Sequence, residues 1–472
     1  MHLALILAIL AVVSISEYSE AAATPPFWAC CLGVLTVALA LSMTAHQAGS
    51  LIAKGVRDCQ SRSDWRRWMR RAKLLERGGV LCWLVSMPLA TALFAWPHAI
   101  RQSLPPNAVI VDEVLILAPT IFALLGVWWG ICQVDLAVQD KLPLESHSPA
   151  PVGRWNRSRE LPNPQRHKCA LGDETASTPW RKLGDYARHH LGLVLPPVLV
   201  VFALEDTSPW WGIGQMRWAV YMAALFALAA VCPLLVRFLW RTHPLPDGPL
   251  RHRLTAAAAQ IGVPVRRLLV WETGGAMVNA AVAGLTPHLR YVLLSDGLLD
   301  KFDDDAIESV FRHEAAHVRR RHLLWRLLLV TFPVWVVAAA IVLAPPAWST
   351  ELPTTALIVI PLVVAIYCGG ALCWFSRLLE HDADLEACRD GANAISNRRL
   401  QSYLQMIDQL GAIAGDRRTW LHPSLTARRS LLIDAATPAR FQQYRRRANV
   451  AIATVLFSYL GAMAMFAYAL TV

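Results

Sequence analysis

Residues 311–322 read FRHEAAHVRRRH and run at once into the apolar stretch LLWRLLLVTFPVWVV at 323–337. Two histidines four residues apart share one face of a helix. His313 and His317 can therefore turn two imidazole nitrogens towards one cation, with Glu314 beside them to hold a water. Zinc suits such a set, because a catalytic zinc keeps three protein donors and a water, lowers that water's pKa towards about 7 and polarises a carbonyl. Glu314 would take the water's proton and deliver it to a leaving amine. The bland alternative is a chance HxxxH on a basic helix. What separates the two is the rest of the chain: the solvent it lives in, and whether a third donor can reach the same place.

The composition answers the first question. Of 472 residues, 55% are hydrophobic and 17% charged, and the mean hydropathy is +0.38. A soluble globular chain is excluded, and a multi-pass membrane protein is expected. The ten cysteines lie mostly in apolar runs, and their one close pair is Cys30-Cys31, with no CxxC. Neither a disulfide framework nor a thiolate metal site is signalled.

Apolar segments occur at about 3–16, 27–46, 80–97, 114–132, 191–204, 218–240, 327–348, 355–375 and 450–472. A spanning helix needs roughly 20 apolar residues, so the first and fifth are short. The first resembles a secretory signal in being followed by Ala21-Ala22-Ala23, but no Lys or Arg precedes it. The fifth contains Pro196-Pro197 and is expected to be kinked, tilted or partly interfacial. Basic residues crowd the stretches 47–79 and 133–190, whereas the opposite loops carry only Arg101 and Arg217. Because basic loops stay on the cytoplasmic side, 241–326 and 376–449 are assigned there too. The net charge of +11 then faces an anionic leaflet, with WRRWMRRAK at 65–73 lying against headgroups rather than nucleic acid. The Pro-, Ser- and Arg-rich stretch 145–178 reads as a flexible cytoplasmic insert.

One region reads as a folded domain. LRHRLTAAAAQIG at 250–262 has a helical pattern, followed by strand-like RLLVWET, a Gly274-Gly275 turn, the alternating MVNAAVAGL and another strand, YVLLSD. Asp303 or Asp304 can cap the helix that carries His313, Glu314 and His317.

The third donor follows two apolar segments later. Segments 327–348 and 355–375 form a hairpin that returns the chain to the starting face, where SRLLEHDADLEAC begins at Ser376. Glu380 is placed to be the third zinc ligand, and Asp384, a helical turn on, to orient a ligating imidazole. His381 and Asp382 are alternative donors, about 100° and 200° round the helix from Glu380.

HEAAH followed by SRLLEHDAD resembles the HtpX protease and CAAX prenyl endopeptidase family, whose pattern is HExxH and then, after membrane segments, SRxxExxAD. Ser376, Arg377, Glu380, Ala383 and Asp384 match it. NAAVAG at 279–284, YVLLSDGLLD at 291–300, DDDAIESVFRHEAAHVRRRH at 303–322 and HPSLTAR at 422–428 are also similar to that family. The resemblance covers about 250–432 and implies a zinc endopeptidase with its active site at the cytoplasmic membrane face. The N-terminal half departs from the compact HtpX arrangement.

The expected architecture is a multi-pass α-helical membrane protein with a small cytoplasmic α+β zincin-type (gluzincin) metalloprotease domain interrupted by a transmembrane hairpin. Its parts are an N-terminal membrane region at 1–240, protease parts at 241–326 and 376–449, the hairpin at 327–375 and a last helix at 450–472. Substrates are expected to be proteins or peptides, taken from within or beside the bilayer of a bacterial inner membrane. An extended peptide can add to the strand around 277–285, where Asn279 either fixes that edge or serves packing. His422 or Arg428 can stabilise the oxyanion, although HP also makes turns and Arg428 can be a salt-bridge partner. A signal-transducing metalloprotease relative and a transporter with an inactive protease domain are the rivals. The outer loops are short for the first, and ionisable residues within the apolar segments are too few for the second.

Overall fold

The computed structural model describes residues 25–105, 109–141, 178–273, 275, 277–344, 354–390, 394–416, 419 and 421–471, with five positions before residue 13. Most of the first apolar segment, the insert 145–177 and Gly274 lie outside the described residues. Among the described residues, seven helices are long and apolar enough to cross a membrane, and one bent helix pair also passes that test. The protein is a multi-pass membrane protein. It divides into two compact units, one ending at Gly212 and the other beginning at Ile213.

The first unit is built on α1 (Phe27–Asp58) and α4 (Val111–Lys141), which pack closely along their length. Small residues permit this approach. A Cβ on Gly130 would lie 2.3 Å from the Ala45 carbonyl oxygen, and one on Gly126 2.2 Å from the Ser42 hydroxyl. Backbones that touch in this way gain dispersion and shape contact where lipid supplies no hydrophobic drive. Between them in sequence come α2 (Arg62–Leu93) and α3 (Trp96–Ser103), joined at a 55° bend where Ala95 has φ 47°. Next is α5 (Pro179–Thr207).

Two expectations are corrected here. The basic stretch after residue 46 is no loop: α1 continues to Asp58 and α2 starts at Arg62. Arg and Lys are good helix formers, the Ser61 hydroxyl caps α2 by accepting from Asp64 N at 3.1 Å, and Trp65, Trp68, Ala72 and Leu75 form an apolar stripe against Ile52, Val56 and Val134. WRRWMRRAK thus forms about two and a half turns of α2, with one face packed on protein. The fifth segment is not short either. Its helix runs 29 residues through Pro196-Pro197 from an N-cap at Thr178.

The second unit begins with α6 (Arg217–Leu239), which the hydropathy pattern had grouped with the N-terminal half. Met222 of α6 is buried in a core with Leu328, Trp335, Phe375, Tyr459 and Phe466, so its partners come from the later helices. These are α10 (His322–Val342), α11 (Thr354–Ala387) and α14 (Pro438–Ala469). SRLLEHDADLEAC does not open a new element after the apolar segment. It is the end of α11, so Glu380 and Asp384 hang from the same rod that carries Tyr367 and Phe375.

The remaining elements make a second core. A four-stranded sheet has the order β1 (Thr242–Pro244), β2 (Arg267–Trp271), β4 (Tyr291–Ser295), β3 (Ala280–Ala283), with β2 and β4 parallel and the outer pairs antiparallel. Strand β3 is an edge. Helices α7 (Pro249–Ile261), α8 (Asp296–Lys301), α9 (Asp304–Arg319), α12 (Asn397–Ala414) and α13 (Leu425–Asp434) complete this part, with a short β5–β6 pair (Arg389–Asp390 and Ala394–Ile395) after α11. Leu254, Val270, Leu294, Phe311, Ala315, Leu385, Tyr403 and Leu432 bury against one another. Helix α9 packs against α7, α11, α12 and β3, which puts its buried face at the centre.

Candidate active site

Helix α9 is fixed at its start and along one flank. Asp303 is the N-cap, accepting from Ala306 N at 2.8 Å, with Asp304 and Asp305 in the first turn, where negative charge suits the helix dipole. Glu308 bonds both Arg253 of α7 and Arg312. The opposite face is set by the motif. Ala315 and Ala316 are 1% exposed, so α9 is drawn close against its neighbours and His313 is buried with it.

Three donors converge there. His313 Nε2 and His317 Nε2 lie 3.3 Å apart, His313 Nε2 lies 3.3 Å from Glu380 Oε2, and His317 Nε2 lies 3.5 Å from Glu380 Oε1. Ligands held at about 2.0–2.1 Å from a tetrahedral ion stand about 3.3 Å from one another, so these separations fit a zinc-sized cation. The chemistry of the donors agrees. Glu380 Oε2 is buried and makes no well-directed hydrogen bond among the described residues, although His422 Nδ1 is only 3.0 Å away. Burial drives the His317 pKa well below its ordinary range, which leaves a neutral ring with a lone pair to give. Burial and the Arg428 charge oppose a second proton on His313, but Asp384 and Glu380 outweigh them and lift it to about 9. The pocket therefore favours positive charge between these side chains, as a divalent cation supplies.

Glu314 is half-buried beside this set and makes no hydrogen bond or ion pair among the described residues. Burial lifts its carboxyl to about 7, with His313 opposing and Glu380 adding. A group poised there can both take and return a proton near neutral pH.

Behind His313 is a buried polar network. Its Nδ1 is 3.0 Å from Asp384 Oδ1 and 2.9 Å from the Tyr403 hydroxyl. Tyr403 donates to Asp384 at 2.7 Å, and Arg428 holds both Asp384 oxygens, at 2.6 and 3.0 Å. Arg428 is thus a salt-bridge partner on the far side of His313 rather than a group facing a substrate. This corrects the reading that gave it an oxyanion or substrate role: its charge is taken up by a carboxylate that is itself 0% exposed.

Around His317 a second network forms. His322 Nδ1 is 2.8 Å from His317 Nδ1, and His322 Nε2 is 3.0 Å from Asp382 Oδ2. Asp382, an alternative donor from sequence, instead accepts from Arg320 and Arg445 at 2.7 and 2.8 Å. His381, the other alternative, is not among the convergent donors. Arg326 Nη2 donates to Glu380 Oε1 at 3.0 Å.

His422 stands on the open side, its side chain 55% exposed while its Nδ1 reaches Glu380. Asn279 is exposed just before β3; its backbone pairs with Ser295, and its side chain makes no hydrogen bond among the described residues. Sequence reasoning missed Tyr403, His322, Arg320, Arg326 and Arg445. Tyr403 is one aromatic residue in an amphipathic helix and gives no local signal. His322 had one, as a histidine closing the motif at the edge of an apolar run.

Comparisons with known proteins identify what the chain is similar to. Residues 244–437 match the profile of Peptidase family M48. The chain is 30% identical over 280 residues to the Protease HtpX of Xanthomonas axonopodis pv. citri, covering 51% of this chain and 93% of that protein. It is 26% identical over 140 residues to a CAAX prenyl protease 1 homolog of Arabidopsis thaliana, 29% of this chain and 32% of that one. It thus spans about a third of the plant relatives' length. Among solved structures it is similar to Ste24p of S. mikatae, with TM-score 0.43 and 14% identity over 84% of this chain and 98% of the other.

Proposed function

The chain belongs to the membrane metalloprotease family M48, that of HtpX and the CAAX prenyl proteases, and from that premise we propose that it is a zinc-dependent endopeptidase acting at the cytoplasmic membrane face. The observation that carries the zinc reading is the convergence of His313, His317 and Glu380, one donor atom from each lying within 4.8 Å of the others. These three residues would hold the ion, which when bound supplies an acidified water and a polarised scissile carbonyl.

The protein's own groups do the rest. Glu314 accepts the attacking water's proton and passes it to the amine that leaves. His422, exposed beside Glu380, donates to the charge that develops on the carbonyl oxygen. Strand β3 stands at the end of the sheet next to α9, and an extended substrate chain would add there as a further strand, with Asn279 at its entrance. Asp384, Tyr403 and Arg428 hold the His313 ring in place.

The cytoplasmic assignment is supported by the crowding of Lys and Arg on one side of the apolar segments. Substrates would be proteins or peptides in or beside a bacterial inner membrane, and the role processing or removal of membrane proteins. The test is the zinc content of detergent-purified protein beside its cleavage of an unstructured protein such as casein. His313→Ala, His317→Ala and Glu380→Ala should each lose both, and zinc-free cleavage by the unaltered protein would contradict the reading.

A further inference from the structure

The two ligating histidines are not held alike. His313 leans directly on a carboxylate, Asp384. His317 has another histidine in that place, His322, which in turn touches Asp382. Both His322 and Asp382 have side chains with no exposed surface, and nothing in the peptidase chemistry described so far uses them.

Their arrangement depends on a break in the helix. On an uninterrupted helix, a residue five positions after His317 would point about 140° away from it. Here α9 ends at Arg319 and α10 starts at His322, and between them Arg321 adopts φ 56°, a left-handed conformation that residues other than glycine rarely adopt. That turn swings His322 back onto His317. Arg320 is held at the same place, bonded to Asp382 and to Asn449 of α14, and Trp325 Nε1 donates to its carbonyl at 2.9 Å.

Proton accounting then fixes the direction of each bond. Asp382 takes hydrogen bonds from two arginines, so it is a carboxylate and an acceptor. It must accept from His322 Nε2–H as well. A neutral His322 protonated at Nε2 carries a lone pair on Nδ1, so it accepts the Nδ1–H of His317. With its Nδ1 protonated, His317 presents the Nε2 lone pair, and that atom is the one 3.3 Å from His313 Nε2.

We infer that Asp382 and His322 form a relay that sets the tautomer and orientation of His317, so that both are positioning residues for the metal site. The inference rests on the reading of His313, His317 and Glu380 as zinc donors. Charge on Asp382 reaches His317 through the imidazole and makes its Nε2 a better donor, as carboxylates bonded directly to ligating histidines do elsewhere.

The test measures zinc affinity by chelator competition, with the Co2+ visible spectrum as a second readout, on the full-length protein in detergent. Unaltered protein is compared with His322→Leu, His322→Asn, Asp382→Asn and His317→Ala. His322→Leu and Asp382→Asn should weaken zinc binding by about 10- to 100-fold and alter the Co2+ band. In His322→Asn the amide oxygen takes the place of Nδ1 and accepts the same bond, so its affinity should lie nearer to the unaltered protein than that of His322→Leu. If His322 merely fills space, the order reverses, because a buried amide is less well tolerated than leucine. If His322→Leu does not fold, Asp382→Asn, which keeps shape and removes charge, decides the matter. Unchanged affinity in Asp382→Asn while His317→Ala loses zinc overturns the relay and leaves the peptidase reading standing. Full zinc binding by His317→Ala overturns both.

Discussion

Asp384 Oδ1 lies 3.0 Å from Nδ1 of His313, while the other nitrogen of the same ring faces Glu380 at 3.3 Å. One carboxylate thus stands behind the imidazole and another in front of it. Replacing Asp384 with Asn keeps the shape but removes the charge and unbalances Arg428. The expected result is a loss of zinc affinity and of peptidase activity by about 10- to 100-fold, against near-complete loss for Glu380→Ala. Chelator competition and turnover on the two variants check this.

Packing in the first unit gives a second expectation. Gly130→Leu sets a side chain where its first carbon already lies 2.3 Å from the Ala45 carbonyl oxygen, so α1 and α4 must separate. A destabilisation of about 1–3 kcal/mol is expected from this overpacking. Gly78→Leu is the control, since no heavy atom lies within 4 Å of its Cβ position. Thermal unfolding of the two variants in detergent should separate them.

How far the site was legible follows from distance along the chain. His313, Glu314 and His317 sit within one helical turn and a fraction, so their spacing alone puts two imidazoles on one face. Glu380 is 63 residues from His317, yet a pair of apolar segments limits where it can go. Arg428 was ambiguous because an arginine after an HP turn suits a substrate or a carboxylate equally. Only the tertiary approach of α13 to α11 gives it to Asp384. The extent of the helices was hidden for another reason. Hydropathy ends where Lys and Arg begin, but those residues continue a helix readily, as α1 does to Asp58 and α14 does in starting at Pro438.

Glu308 supplies a pH dependence. Burial pushes its carboxyl up, but hydrogen bonds from Arg253 and Arg312 outweigh that and hold its pKa below the ordinary value. A folded-state pKa below the unfolded one stabilises above the unfolded value of about 4.3 and is lost as pH falls through the folded value. Glu308→Gln should therefore lower the unfolding temperature at pH 7, and the gap to the unaltered protein should narrow below about pH 4.3. A constant gap down to pH 3 would mean that the charge of Glu308 is not what stabilises the start of α9.

Topology is tested with two exposed positions on either side of the apolar pair, Thr255→Cys and Gln401→Cys, in a background with accessible native cysteines replaced. Both should resist an impermeant maleimide in intact cells and react after permeabilisation. Labelling of one and protection of the other would place α9 and the end of α11 on opposite faces and rule out the shared site.

Glu314 is proposed to do chemistry without holding the metal, and zinc content beside turnover for Glu314→Gln measures this directly. Glu314→Gln should keep one zinc per chain, as in the unaltered protein, and lose nearly all cleavage. Undiminished cleavage by Glu314→Gln at full zinc occupancy would contradict it.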